Sequence, residues 1–138
     1  MPHLFCYGSL MFAPVWSRVV QGTYDRVEAP LRGFQRRCVQ GGTYPCLIPG
    51  SYDDIVDGVI YLHVNTADMA RLDAFEGELY DRKTVVCLDA AKRSYEAEVY
   101  VLKTHYRSVA TDAAWDVTWF ASEGLSQFLD HYQGFLSC

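Results

Sequence analysis

A chain of 138 residues, half of them hydrophobic and 14% aromatic, is long enough to bury a core and too apolar to stay disordered, so one folded domain over residues 1–138 is expected. Its net charge of −5 at pH 7 excludes the basic footprint that a phosphate backbone requires, and no nucleic-acid partner is expected. No stretch has the apolar length of a bilayer span, Met1 to Cys6 carries no basic leader, and five cysteines without a Cys-x-x-Cys pair read as reduced thiols; a cytoplasmic protein with no membrane partner is expected.

Leu4 to Cys6 is a short apolar run that stops at Tyr7-Gly8-Ser9, the pattern of a buried strand ending in a turn. Pro14, tolerated in a first helical turn, precedes Val15, Trp16, Val19 and Val20 at helical spacing, and Gly22 is the expected stop. Tyr24 to Ala29 and Phe34 to Val39 read as strands separated by Pro30 and Gly33, with turn chemistry again at Gly41-Gly42 and Pro49-Gly50. Arg32, Arg36 and Arg37, the densest basic group, read as a solvated strand face.

Val56 to Val64 alternates as a strand covered on both faces: Ile60, Leu62 and Val64 point one way, Val59, Tyr61 and His63 the other. Asn65 or Thr66 can cap the helix that follows, Asp68 suits its amino-terminal dipole, and Met69, Leu72 and Phe75 share a face up to a stop at Gly77. Arg82 to Leu88 and Glu96 to Leu102 form a predicted hairpin around the polar turn Asp89 to Ser94. From Trp115 the spacing predicts a helix with an apolar stripe of Trp119, Phe120, Phe128, Leu129 and Tyr132, packed across the sheet as a lid or buttress. The sum is an α+β fold, a curved mixed β-sheet or small barrel with two or three flanking helices, without βαβα alternation.

Two segments carry chemistry. In Tyr7-Gly8-Ser9-Leu10, a glycine directly after a strand lets successive backbone N–H groups turn toward an anionic ligand. In Leu72 to Arg82 ionisable side chains crowd a helix end; Asp73, Glu78 and Asp81 read as solvated, whereas Glu76 sits between Phe75 and Gly77, where it can lean toward the sheet. Burial there would raise its pKa and make it a proton shuttle near neutrality.

With Tyr80 and Arg82 closing the second segment, the two in this order resemble the γ-glutamylcyclotransferase family, in particular its small AIG2-like branch. The likeness extends to Met11 to Trp16, Arg32-Gly33-Phe34, Tyr44-Pro45, Val56 to Tyr61 and Glu98 to Val101. It implies an enzyme in which the α-amino group of a γ-glutamyl compound attacks its own γ-carbonyl, releasing an amine and 5-oxoproline with no cofactor and no metal. By this resemblance Glu76 matches the general acid/base, Tyr7, Gly8, Ser9 and Leu10 the binding loop, and Tyr80 and Tyr100 the tyrosines of the pocket wall. Arg82 reads as a strand-start salt bridge. A small-molecule γ-glutamyl substrate is the expected partner and a monomer the expected state. Only Glu78 and Leu79 separate Gly77 from Tyr80, fewer residues than in some branches, so the pocket rim departs from theirs.

Two other classes of function meet the same residues. A thiol enzyme would need Cys6 beside a histidine, and His3, His63, His105 and His131 show no spacing that pairs one with it or with a metal. A non-catalytic binding or stress-response protein would keep the loop and pocket and have no use for a base at Glu76.

Overall fold

A computed structural model describes residues 2–136, with side chains to residue 130. Eight strands and three helices follow in the order β1 (His3–Cys6), α1 (Ala13–Val19), β2 (Arg26–Arg32), β3 (Phe34–Val39), β4 (Pro45–Pro49), β5 (Ile55–Tyr61), α2 (Thr66–Glu76), β6 (Tyr80–Leu88), β7 (Ser94–Leu102) and β8 (Ala110–Ala114), closed by α3. Helix α3 covers residues 117–136 and is continuous through Val117–Trp119, a π-helical turn at Phe120–Gly124, and Leu125–Leu136. Among the described residues no helix is long and apolar enough to cross a membrane.

Five strands form one sheet in the order β2-β5-β1-β7-β6, in which β1 and β7 run parallel and the other neighbours antiparallel. Its two edges, β2 and β6, curl toward each other into a half-barrel, and a three-stranded sheet β4-β3-β8 packs beside it. The fold is therefore the curved mixed sheet with flanking helices that the sequence predicts.

Side-chain alternation along the strands creates two cores. Leu4 and Cys6 of β1, Val59 and Tyr61 of β5, and Tyr100 and Leu102 of β7 face the helices, where Val15, Leu72, Phe120 and Phe128 complete the cluster. Phe5, Val56, Ile60, Val99 and Val101 fill the other side. Each fully buried side chain of this size contributes about 1.5–3 kcal/mol, which is what holds three helices against the sheet.

Helix α2 is fixed at its start by two polar devices. Asn65 Oδ1 accepts from the Asp68 N–H at 2.8 Å and is the N-cap. Asp68 itself is fully buried: it accepts from the Gln21 and Gly22 amides at 2.9 Å, from the Tyr24 hydroxyl at 2.6 Å and from Arg71 at 2.6 Å. Burial alone would raise its pKa, but the Tyr24 and backbone hydrogen bonds outweigh it and hold the carboxyl at about 2. Its task is to tie α2 to the end of α1, which is more than the dipole role the sequence suggests.

Several boundaries differ from expectation, each for a physical reason. Helix α1 ends at Val19 rather than Gly22, because the amides after it turn to Asp68. Strand β2 runs through Pro30, which a sheet edge tolerates because no neighbour needs its missing N–H. Strand β5 stops at Tyr61: His63 adopts φ 55°, and the turn sends Val64 to the helix-side core with Tyr61 instead of to the side of Ile60. Arg36 and Arg37 are half-buried rather than solvated. Trp119 is 38% exposed, since neighbouring helical positions point about 100° apart and Phe120 and Phe128 take the inward face. Tyr132 lies outside the described side chains.

Candidate active site

The chain leaves β1 at Tyr7, and this residue is tied at both ends. Its hydroxyl donates to the Tyr100 carbonyl at 2.6 Å, and its own carbonyl accepts from Arg36 Nη1 at 2.8 Å. Gly8 follows because nothing larger fits: a Cβ there would lie 2.6 Å from Pro45 Cγ. Ser9–Met11 then form a 3-10 turn in which the Met11 amide donates to the Gly8 carbonyl at 3.0 Å. The Ser9 and Leu10 amides, first in that turn, have no acceptor among the described residues. The Leu10 carbonyl accepts from the Tyr61 hydroxyl at 2.9 Å, so the loop is anchored from behind.

Opposite the loop, α2 ends where Gly77 takes φ 74°, a conformation that favours glycine, and its N–H returns to the Asp73 carbonyl. Glu76 is thereby the last helical residue and projects into the cavity between helix and sheet. Its carboxyl is half-buried and has no hydrogen-bond partner among the described residues. Burial first, and the negative charge of Asp73 second, raise its pKa from the ordinary 4.5 to about 8. Such a carboxyl both accepts and gives up a proton near neutral pH.

The cavity measures about 240 Å³ and brings together all the residues singled out from the sequence: Tyr7, Gly8, Ser9, Leu10, Glu76, Tyr80 and Tyr100 line it. The two later tyrosines serve its frame as well. Tyr80 donates to the Pro45 carbonyl at 2.9 Å, which fastens β6 to β4. Tyr100 donates to Asp73 Oδ1 at 2.8 Å, and Arg82 Nε approaches the same oxygen at 3.3 Å. Burial and then the hydrogen bond to Asp73 push the Tyr100 phenol far up, so it stays protonated as a donor.

Asp73, read from sequence as solvated, is exposed on one side yet belongs to this network. Sequence reasoning also passed over Phe128 as a cavity wall; its position on the apolar stripe signals burial and nothing about what it covers. Cys6 lines the cavity too, but burial and the Glu76 charge push its thiol well up, which leaves it protonated and unreactive. Among the described residues no histidine lines the cavity, and no group of three or more His, Cys, Asp or Glu is placed to hold a metal.

A family model described as gamma-glutamyl cyclotransferase, AIG2-like, matches residues 4–117. AIG2-like protein C of Arabidopsis thaliana is 36% identical over 101 residues, which cover 72% of this chain and 58% of that protein. The chain spans about half the length of the curated relatives it matches. A solution structure of an Arabidopsis thaliana protein superposes with a TM-score of 0.73 at 25% identity, over 98% of this chain and 81% of that one. A structure titled gamma-glutamyl cyclotransferase superposes with a TM-score of 0.63 over 73% of this chain and 66% of its own; at 18% identity the likeness is one of fold.

Proposed function

Because the chain belongs to the AIG2-like gamma-glutamyl cyclotransferase family, we propose that its cavity cyclises a γ-glutamyl amine or dipeptide to 5-oxoproline, with Glu76 as general acid and base. In this reading the ionised Glu76 takes a proton from the substrate's α-ammonium group, and the freed amine attacks the γ-carbonyl carbon and closes the lactam ring. Negative charge then develops on the carbonyl oxygen, where the Ser9 and Leu10 amides, which have no acceptor among the described residues, meet it. As the intermediate collapses, the bond to the leaving amine breaks and the proton held by Glu76 passes to that amine, after which the freed carboxylate takes the second proton from the ring nitrogen, leaving the neutral lactam, and releases it to solvent. The carboxylate is restored, and no cofactor takes part.

The observation that carries this reading is the Glu76 carboxyl, which has no hydrogen-bond partner among the described residues, has its pKa raised to about 8 and faces the Tyr7 to Leu10 loop across a small cavity. A cavity of about 240 Å³ walled by Tyr7, Phe75, Tyr80, Tyr100 and Phe128 has room for a glutamyl group, which supports the reading. A crystal soaked with 5-oxoproline tests the placement. The ring is expected between the loop amides and Glu76; a ring bound elsewhere, or no binding at saturating concentration, contradicts it.

A further inference from the structure

Arg36 does not line the cavity, yet it bears on a peptide group that does. Its Nη1 donates to the Tyr7 carbonyl at 2.8 Å and to the Asp57 carbonyl at 3.2 Å, and its guanidinium carbon lies 5.2 Å from the centre of the Trp115 ring. A guanidinium suits this position because its planar fork can hold a carbonyl while its face stacks on an aromatic ring. In a trans peptide the C=O and N–H groups point in opposite directions, and among the described residues no peptide bond is cis. A Tyr7 carbonyl drawn to Arg36 therefore turns the Gly8 N–H the other way, and Gly8 lines the cavity. That N–H has no acceptor among the described residues. Rotation of the peptide is restricted further by the Tyr7 phenol, held by Tyr100, and by Pro45 packed against the Gly8 Cα.

We propose that Arg36 is a positioning residue that fixes the Tyr7–Gly8 peptide so that the Gly8 N–H is presented to an anionic oxygen of the substrate. The proposal rests on the γ-glutamyl reading for the identity of that oxygen, which is the α-carboxylate or the oxygen of the attacked carbonyl. The orientation of the peptide stands apart from that reading. Loss of the guanidinium frees the Tyr7 carbonyl to rotate, and the amide donor is then no longer held toward the ligand before it binds. Catalysis falls because a donor that must be reoriented stabilises charge less well than one already in place.

Two variants test this. Arg36→Met keeps an apolar stem over Trp115 and removes the donors; Arg36→Lys keeps one donor. In a ligand-free crystal structure of Arg36→Met, the Tyr7 carbonyl is expected to have left its present direction. With a substrate that the wild-type chain cyclises, kcat/KM is expected to fall by roughly 10²-fold in Arg36→Met, and Arg36→Lys to recover most of that loss. A fall in kcat assigns the donor to the attacked carbonyl, a rise in KM to the α-carboxylate, and both support the proposal. If the wild-type chain releases no 5-oxoproline, the γ-glutamyl reading fails, and the peptide direction in Arg36→Met still decides the positioning role. Should Arg36→Met not fold, Arg36→Gln carries the same measurements. An unmoved peptide, or an unchanged kcat/KM in a folded variant of an active enzyme, overturns the proposal.

Discussion

Asp73 stands one helical turn before Glu76 on α2, and its carboxylate is held there by the Tyr100 hydroxyl at 2.8 Å and Arg82 Nε at 3.3 Å. The charge that adds to burial in raising Glu76 is thus fixed in place by two residues from the neighbouring hairpin. Replacing it changes the pH response in a definite direction. In Asp73→Asn the repulsion is gone and burial remains, so Glu76 ionises below its present value of about 8. In the proposed mechanism the ionised form of Glu76 accepts the substrate's proton, so the acid limb of the kcat/KM profile is expected to move to lower pH. A limb that stays in place in this variant contradicts the electrostatic coupling.

Stability should report the same carboxyl without any substrate. The unfolded chain releases this proton near 4.5 and the folded chain near 8, so between those values the folded state binds more protons and stability falls as pH rises. Glutamine is neutral throughout. Glu76→Gln is expected to match the wild type near pH 5 and to exceed it above about pH 8 by on the order of a few kcal/mol, measured by urea unfolding at each pH. Equal stabilities at both pH values would place the carboxyl in water.

Asp68 gives the opposite sign. Its pKa is depressed from 3.8 to about 2, so the stability it contributes is present above 3.8 and is lost as pH falls toward 2. Asp68→Ala leaves the Gln21 and Gly22 amides and the Tyr24 hydroxyl without their acceptor, and the expected loss is about 3–5 kcal/mol at pH 7. Chemical denaturation checks the size. The gap between variant and wild type is expected to narrow in acid, whereas a constant gap would assign the loss to packing.

Gly8 is constrained by packing as well as by its proposed part in ligand binding. A Cβ at this position meets the Pro45 ring at 2.6 Å, and a proline ring cannot rotate aside as a flexible side chain does. Gly8→Ala is therefore expected to cost about 1–3 kcal/mol of stability and to weaken 5-oxoproline binding at the same time. Thermal melting and an NMR titration with 5-oxoproline check the pair; full stability with full binding would show that the loop and β4 do not abut.

How much of this was legible in the sequence follows from what is local and what is not. The turn of the loop was legible because a strand and a glycine are adjacent in the chain, and the inward lean of Glu76 because Phe75 and Gly77 mark a helix end, but their roles as a site were legible only from the resemblance of the two segments taken together. Strand β4 escaped because Pro45 and Pro49 bound it, its inner residues are apolar on both faces, and it is short, so alternation has nothing to act on. Strand β8 escaped because its alanines carry little β-propensity and, among the described residues, it pairs with β3 alone. The hold on Asp73 comes from Tyr100, 27 residues away, and that on Gly8 from Pro45 on another sheet; neither leaves a trace in local spacing.

Glu76 is proposed as the group that moves the proton, and the most direct measurement is 5-oxoproline release from a panel of γ-glutamyl amines and dipeptides by the wild-type chain and by Glu76→Gln. The wild type is expected to turn over at least one of them, and Glu76→Gln to lose about 10²–10⁴-fold in kcat while still binding 5-oxoproline. Equal release by both proteins would remove Glu76 from the chemistry. Silence from both across the panel would make the cavity a binding site without catalysis.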